Sequence, residues 1–136
     1  MLVIDFWELG MRAFRLLAIS WIVASLAASA AAVLAQPVAR RELLTTPGRM
    51  TLYTFDNDVA GSGRSACNAP CSGLFPPFLA KKGDKASGEA SIITRDDGTL
   101  QWAYKGKPLY RWVYDEKPGD KKGDGVNHGT WHVAKP

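Results

Sequence analysis

The stretches "LYTFDND" (residues 52–58) and "LYRWVYD" (residues 109–115) share the pattern Leu-Tyr-x-aromatic-x-x-Asp, and the second copy follows 57 residues after the first. Residues two apart on a strand point to the same face, so each tyrosine shares a face with the aromatic residue after it. The aspartate falls beyond the end of the strand, where a carboxylate can accept backbone N–H bonds and shape a turn. The pattern therefore predicts one structural unit used twice.

The repeat extends beyond the motif itself. In each half the motif is followed by a polar, glycine-rich loop and then by a large aromatic residue, Phe75 in the first half and Trp131 in the second. We predict a domain with internal pseudo-two-fold symmetry, with its copies at about residues 50–80 and 99–136. The motif residues that correspond are Tyr53, Phe55 and Asp58 in the first copy and Tyr110, Trp112 and Asp115 in the second.

Strand and turn signals dominate the chain after residue 48. "MTLYTFD", "ASIITR", "TLQWAY", "PLYRWVY" and "TWHVA" are rich in aromatic and β-branched residues, and Asp-Gly at residues 97–98 indicates a hairpin turn. The middle three segments predict a meander, with Tyr110, Trp112 and Tyr114 on one side. We predict an all-β fold, a small antiparallel domain that is sandwich-like or barrel-like, in residues 49–136. Residues 36–48 are predicted to be a linker.

The N-terminal segment has the features of an export signal. Residues 16–34 contain no charged side chain, Arg12 and Arg15 precede them, and small residues stand before a cleavage site after Ala35. We predict a signal peptide over residues 1–35 that forms an N-terminal signal helix, with Met11 as an alternative start. The alternative is that the segment is retained as a membrane anchor, because it is about long enough to span a bilayer.

Charge and cysteine content narrow the class further. The formal net charge is +4, but acidic and basic residues are interspersed, which does not indicate a nucleic-acid surface. Cys67 and Cys71 are the only cysteines, and in an oxidising compartment such a pair usually forms a disulfide. A redox-active or metal-binding pair is the alternative reading of the same two residues.

Both motif copies and the segments around them resemble the bacterial secreted-repeat family, often described as predicted lipoproteins with a Y-x-[FWY]-x-x-D motif. The resemblance implies export, a cell-envelope location and a small β domain, and it assigns no catalytic role to the motif. Many members carry a lipid-attachment cysteine that this chain lacks. We therefore expect a periplasmic or secreted protein that contacts a membrane only if the signal stays uncleaved.

Candidate chemical groups are few. His128 and His132 are weak metal candidates, because on a strand they would lie about 13 Å apart. Asp58 and Asp115 would form a carboxylate pair only if the symmetry brought the two motif ends together, and no serine lies in a recognisable triad context. The sequence therefore predicts no cofactor and gives no firm evidence of an enzyme.

The aromatic residues of the second half allow two interpretations. They can form the core of a small domain or, where exposed, a face for sugar rings, peptides or a protein partner; they are Trp102, Tyr104, Tyr110, Trp112 and Trp131. The function that we predict is a non-catalytic binding module for an envelope protein or a glycan. The alternatives are a redox or metal/haem accessory protein and a small hydrolase that uses paired carboxylates.

Overall fold

The computed structural model describes residues 35–136. The predicted signal peptide, apart from Ala35, and the predicted start at Met11 lie outside the described residues. Within residues 35–136, no helix has the length and apolar character needed to cross a membrane.

Short antiparallel strands make up most of the regular structure, which confirms the predicted fold class. β1 pairs with β2, β3 pairs with β8, and β6 pairs with β4, β5 and β7, so the strands form three small sheets. Two single-turn helices, α1 and α2, lie in the loops. The elements are β1 (Val38–Arg40), β2 (Leu43–Thr45), β3 (Tyr53–Phe55), α1 (Cys71–Leu74), β4 (Leu79–Ala80), β5 (Ala90–Thr94), β6 (Leu100–Tyr104), β7 (Lys107–Pro108), α2 (Val126–Gly129) and β8 (Trp131–Val133).

The prediction that residues 36–48 form a linker is wrong, because this segment contains the β1–β2 hairpin. Leu44 is buried, and its N–H donates a hydrogen bond of 2.9 Å to the Ala134 carbonyl. The two prolines that suggested a linker, Pro37 and Pro47, lie just outside the two strands, where a missing N–H costs nothing. The strands are only three residues long, too short for a periodic pattern to show in the sequence.

The predicted meander is correct in its first two strands, and its third strand is correct only at its start, where β7 pairs with β6. β5 and β6 pair across a turn in which Gly98 has a φ of 83°, as the Asp-Gly signal predicts. After β7, however, Tyr110 leaves β6 and forms an antiparallel bridge with Tyr53 of the first motif. The second motif therefore pairs with the first motif. The aromatic residues of the second motif do not form one buried face, since Tyr110 is buried and Tyr114 is 60% exposed.

The two motif copies make equivalent backbone contacts, which is the structural form of the sequence repeat. The Tyr53 N–H donates to the Tyr110 carbonyl at 2.8 Å, and the Tyr110 N–H donates to the Tyr53 carbonyl at 3.0 Å. The same correspondence holds one residue earlier. Leu52 and Leu109 accept N–H bonds at their carbonyls from Ala134 and Phe78, at 2.8 and 2.9 Å. The axis of pseudo-symmetry therefore passes between the two tyrosines.

Four aromatic rings form a continuous stack in the core, and they alternate between the two repeats. Trp131 stacks on Phe75 with ring centroids 3.5 Å apart, and each of these rings has an outer neighbour at 4.4 Å, Phe55 on Trp131 and Trp112 on Phe75. Phe75 and Trp131 are the aromatic residues that the sequence placed at corresponding positions of the two halves. Because aromatic side chains bury large apolar areas, this stack holds the repeats together.

A second apolar cluster lies around β6. Trp102 is fully buried at its centre, among smaller apolar side chains of β2, β4 and the chain segments next to the two motifs. Both central neighbours of Trp102 on the strand, Gln101 and Ala103, are also fully buried. Although polar and apolar residues alternate along β6, the side that carries Gln101 and Ala103 does not face solvent. The cluster consists of Leu44, Leu52, Ala80, Trp102, Leu109 and Ala134.

Candidate functional site

Each motif tyrosine binds the motif aspartate of the other repeat. The Tyr110 hydroxyl donates to Asp58 Oδ2 at 2.7 Å, and the Tyr53 hydroxyl donates to Asp115 Oδ2 at 2.5 Å. The other oxygen of each carboxylate accepts a backbone N–H bond. Asp58 Oδ1 accepts the Ala66 N–H at 2.7 Å, and Asp115 Oδ1 accepts the Lys122 N–H at 3.0 Å. The sequence predicted the backbone contacts, but not the exchange of side chains between the repeats.

The Asp58 end is a buried polar network. Asp58 is 5% exposed, and the hydroxyl of Tyr110 lies between its carboxylate and Ser65 Oγ, 2.7 Å from each. Arg95, also 5% exposed, donates through Nη1 to Ser65 Oγ at 2.9 Å and to Gln101 Oε1 at 2.7 Å. A buried guanidinium with several fixed acceptors rigidifies its surroundings. Nothing in the sequence around Arg95 singled it out, because it stands next to a turn, where arginine is usually exposed.

Burial controls the protonation of this end. Burial raises the pKa of the Asp58 carboxyl, although the hydrogen bonds from Ala66 and Tyr110 and the charges of Lys107 and Arg95 act in the opposite direction. Burial also raises the pKa of the Tyr110 hydroxyl, and the nearby Asp58 adds to the shift. The tyrosine therefore stays protonated as a hydrogen-bond donor.

The Asp115 end is more open. Besides its bond to Asp115, the Tyr53 hydroxyl accepts the Gly123 N–H at 3.3 Å. A Cβ added at Gly123 would lie 3.0 Å from atoms of both Trp112 and Tyr53, so glycine gives this loop room to approach the motif. Burial, followed by the bond to Asp115, raises the pKa of the Tyr53 hydroxyl. The loop after the second motif thus closes over the tyrosine of the first.

These contacts give the motif residues a structural role. Both oxygens of each motif aspartate are engaged, one by the tyrosine of the other repeat and one by a backbone N–H. Asp58 and Asp115 share none of these partners. A carboxylate pair for hydrolysis would need the two groups about 5–10 Å apart with a reacting group between them. Instead, each carboxylate ties the loop of its own repeat to the tyrosine of the other repeat.

The two cysteines form a disulfide, with their Cα atoms 5.3 Å apart. Cys67 is fully buried against the aromatic core, and its carbonyl accepts an Arg95 Nη2 bond of 2.8 Å. The disulfide thus fixes the loop before α1 next to the buried network. Burial of Cys67 also shields its sulfur from an attacking thiolate, which is unfavourable for redox exchange at that atom.

The histidines do not come together as metal ligands. His132 Nε2 lies 2.9 Å from Asp56 Oδ2, in an exposed pair across the β3–β8 sheet. His128 lies in α2, exposed to solvent and with a φ of 56°. Over residues 35–136, no three His, Cys, Asp or Glu side chains are grouped in a way that could hold a metal ion.

Most of the aromatic side chains proposed as a binding face are core residues. Trp102, Tyr110 and Trp131 are buried, while Trp112 and Tyr104 are half-buried. The stack of rings accounts for the aromatic content of both repeats. These five side chains therefore do not form one continuous exposed aromatic face.

The described residues also form a cleft of about 600 Å³, which nothing in the sequence predicted. The loop after the first motif, which contains Ala60 and is called the first-motif loop, makes one wall of the cleft. The β6–β7 turn makes a second wall, and β8 with the residues after it makes a third. Buried apolar side chains lie at its base, and three lysines surround them. The lining residues are Leu44, Thr54, Ala60, Tyr104, Lys105, Lys107, Leu109, Asp124, His132, Val133 and Lys135.

The walls of the cleft are fixed by a close backbone approach. The Gly61 N–H donates to the Gly106 carbonyl at 3.0 Å, and a Cβ on Gly106 would lie only 2.6 Å from the Gly61 nitrogen. Gly106 also has a φ of 78°, which favours glycine. The β6–β7 turn is therefore held against the first-motif loop, with Ala60 and Lys105 on either side of the contact.

Comparison with known proteins gives one match. A family model described as a secreted repeat of unknown function matches residues 42–78 and 91–135, and each matched segment contains one copy of the motif. No curated protein and no solved structure matches the chain.

Proposed function

The chain belongs to this family of secreted repeats, whose members are exported, and we propose that it is a non-catalytic binding module of the cell envelope. We further propose the periplasm or the outer surface as its location, and the cleft as its binding site. The pseudo-symmetric core acts as a rigid support. The first-motif loop, the β6–β7 turn and the end of the chain supply the contacts to the ligand.

The cleft is the single observation that carries this proposal. Its volume of about 600 Å³ falls within the range of about 300–1,000 Å³ typical of small-molecule sites. Such sites combine apolar walls with a few polar groups, and this cleft places Ala60 and the half-buried Tyr104 ring beside lysine, threonine and histidine side chains. The motif carboxylates, in contrast, have their oxygens engaged by internal partners. The arrangement therefore supports binding better than it supports acid–base chemistry.

A substitution that fills the cleft tests the proposal. Ala60 is exposed on the cleft wall, whereas the neighbouring Val59 is 70% exposed and does not line the cleft. Ala60→Trp should fill the opening, and Val59→Trp adds the same side chain next to it as a matched control. Both variants should keep the amide NMR dispersion of the wild-type protein.

The measurement is an NMR screen of the exported protein against glycan fragments, short peptides and amphiphiles. We expect shift changes at cleft residues that disappear in Ala60→Trp and persist in Val59→Trp. Ligands whose shift changes lie elsewhere, or survive in Ala60→Trp, would contradict the cleft as the binding site.

A further inference from the structure

We propose that the ligand of this cleft is an anionic amphiphile, a molecule that carries a carboxylate, sulfate or phosphate group on an apolar body. This inference rests on the proposed binding function and specifies the ligand. Its basis is the combination of three lysines with the half-buried Tyr104 ring in one cleft.

The charge of the cleft is predominantly positive. Lys105, Lys107 and Lys135 line it, and none of the three has a carboxylate within 4.0 Å among residues 35–136. Asp124 is the carboxylate among the lining residues, and its Oδ1 accepts the Val133 N–H at 3.0 Å. An anionic group would thus meet three ammonium groups, while Asp124 is engaged in a backbone contact, Asp56 is paired with His132 and Asp58 near Lys107 is buried. Clefts with one predominant sign of charge concentrate ligands of the opposite sign.

The cleft also offers apolar surface. Leu44, Leu109 and Val133 line it but are already buried, so the apolar surface that a ligand can cover comes from other groups. The ring of Tyr104 lies half-buried at the side, with the Lys105 ammonium 5.7 Å from its centroid. Lysine side chains also present long apolar stems below their charged ends. A ligand with a charged group alone would leave the Tyr104 ring and the lysine stems in contact with water.

The lysines and the apolar surface of the cleft together favour an amphiphile as the ligand. Exposed ion pairs contribute little by themselves, so the lysines alone would hold a simple anion weakly. Apolar burial alone would not distinguish an anion from a cation with the same chain. A molecule that places its chain on the Tyr104 ring and the lysine stems, and its anionic group among the ammonium groups, gains from both.

The lysines around the β6–β7 turn are also held in place before a ligand arrives. Lys105 has a φ of 48°, and the next residue, Gly106, contacts the backbone of Gly61 across the cleft wall. Lys107 follows in β7, paired with β6. A backbone fixed in advance lowers the ordering cost of binding.

Dodecanoate is the probe, with dodecyltrimethylammonium and dodecyl maltoside as controls that have the same chain and a different charge. Acetate controls for the anionic group alone. Binding to the exported protein is measured by NMR titration below the micelle concentrations. We expect dodecanoate to bind about tenfold more tightly than either twelve-carbon control, and acetate to be much weaker. The preference for dodecanoate should decrease as salt is added, because salt screens exposed charges.

A triple variant tests the lysines directly. Lys105→Met, Lys107→Met and Lys135→Met together remove three charges and keep the apolar stems, so dodecanoate affinity should fall about tenfold or more. The matched control changes three exposed lysines outside the cleft to methionine and alters the net charge equally; these are Lys81, Lys82 and Lys85. The control should leave affinity unchanged. If the cleft triple does not fold, Lys135→Met alone carries the comparison.

The outcomes separate this inference from the proposed function. Equal affinity for all three twelve-carbon probes, or equal loss in both triple variants, would overturn the anionic preference while leaving the cleft as a binding site. Binding of a different ligand class in the cleft, with no response to dodecanoate, would overturn the inference alone. Binding only to phosphatidylglycerol vesicles would indicate a membrane surface and would also overturn it. The absence of any ligand at the cleft would contradict both proposals.

Discussion

Asp58 and Asp115 occupy the same place in the two motif copies and bind corresponding tyrosines, yet their surroundings differ. Asp58 is buried beside Ser65 and Arg95, whereas Asp115 is only half-buried and faces the loop at Lys122. The shared motif therefore provides the tyrosine–aspartate hydrogen bonds between the repeats. The residues around the motif determine how deeply each of these hydrogen bonds is buried.

The more strongly held end is also the one next to the cleft. The first-motif loop contributes Asp58 to the buried network and Ala60 to the cleft wall. Lys107 lines the cleft and is close enough to Asp58 to lower the pKa of its carboxyl. A duplicated unit that has reinforced one end and left the other open is consistent with a binding site at the reinforced end.

The largest effect should come from Arg95→Met, which removes the guanidinium from the Asp58 end. Gln101 Oε1 and the Cys67 carbonyl lose buried partners, and Asp58 loses a nearby positive charge. Because buried acceptors that lose their donor cost about 1–3 kcal/mol each, we expect the free energy of unfolding to fall by about 4 kcal/mol, measured by urea denaturation. Arg64→Met is the control, since Arg64 forms an exposed pair with Asp96, and it should cost less than about 0.5 kcal/mol. Equal costs would mean that Arg95 does not stabilise this end.

The paired tyrosine variants test the comparison itself. Tyr110→Phe removes the hydroxyl that donates to the buried Asp58 Oδ2 and contacts Ser65 Oγ, so the free energy of unfolding should fall by about 3 kcal/mol. Tyr53→Phe removes the equivalent hydroxyl at the open end, where water can solvate Asp115, and should cost about 1.5 kcal/mol. If Tyr53→Phe cost as much as Tyr110→Phe, the two ends would be energetically equivalent despite their different burial.

The disulfide belongs to one repeat only, since the second repeat has no cysteine. Replacing both Cys67 and Cys71 by alanine should lower the free energy of unfolding by about 2 kcal/mol, the chain-entropy value for so short a loop. Urea denaturation of the variant, compared with the wild type with and without reductant, measures the effect. Full stability of the double variant would show that the buried network holds this loop without the covalent bond.

The sequence predicted the repeat because the repeat is written in residue identities. Tyr53 and Tyr110, with the anchors Phe75 and Trp131, recur at nearly constant offsets, and the structure places each pair at equivalent positions. The Asp-Gly turn at Gly98 is equally local, because its backbone conformation depends on the residues of the turn.

The features that sequence reasoning missed depend on contacts between distant segments. Arg95 is buried only because Ser65 and Gln101 meet it from other parts of the chain. The β1–β2 hairpin is stable because Leu44 bonds to Ala134 and packs beside Trp102, far along the chain. The cleft likewise requires the tertiary approach of several loops, and no local pattern encodes it.

The smallest predicted effect is a difference in the pH dependence of two aspartates. Burial raises the pKa of Asp58, so the unfolded chain releases this proton first as pH rises above about 3.9. Over the window between the two pKa values the folded state binds more protons, and the free energy of unfolding falls as pH rises. Asp120, at the second-repeat loop, is the opposite case, because the N–H bonds from Glu116 and Lys117 lower its pKa. Its contribution is present above about pH 3.9 and is lost as pH falls through the folded pKa.

Asparagine variants separate these two signs. The stability of the wild type relative to Asp58→Asn should decrease as pH rises from about 3 to 7, because the variant lacks the titrating group. The stability of the wild type relative to Asp120→Asn should increase over the acidic part of the same range. Urea denaturation at several pH values measures both differences against one wild-type series. Two slopes of the same sign would show that burial does not dominate at Asp58, and that its hydrogen bonds from Ala66 and Tyr110 outweigh the cost of desolvation.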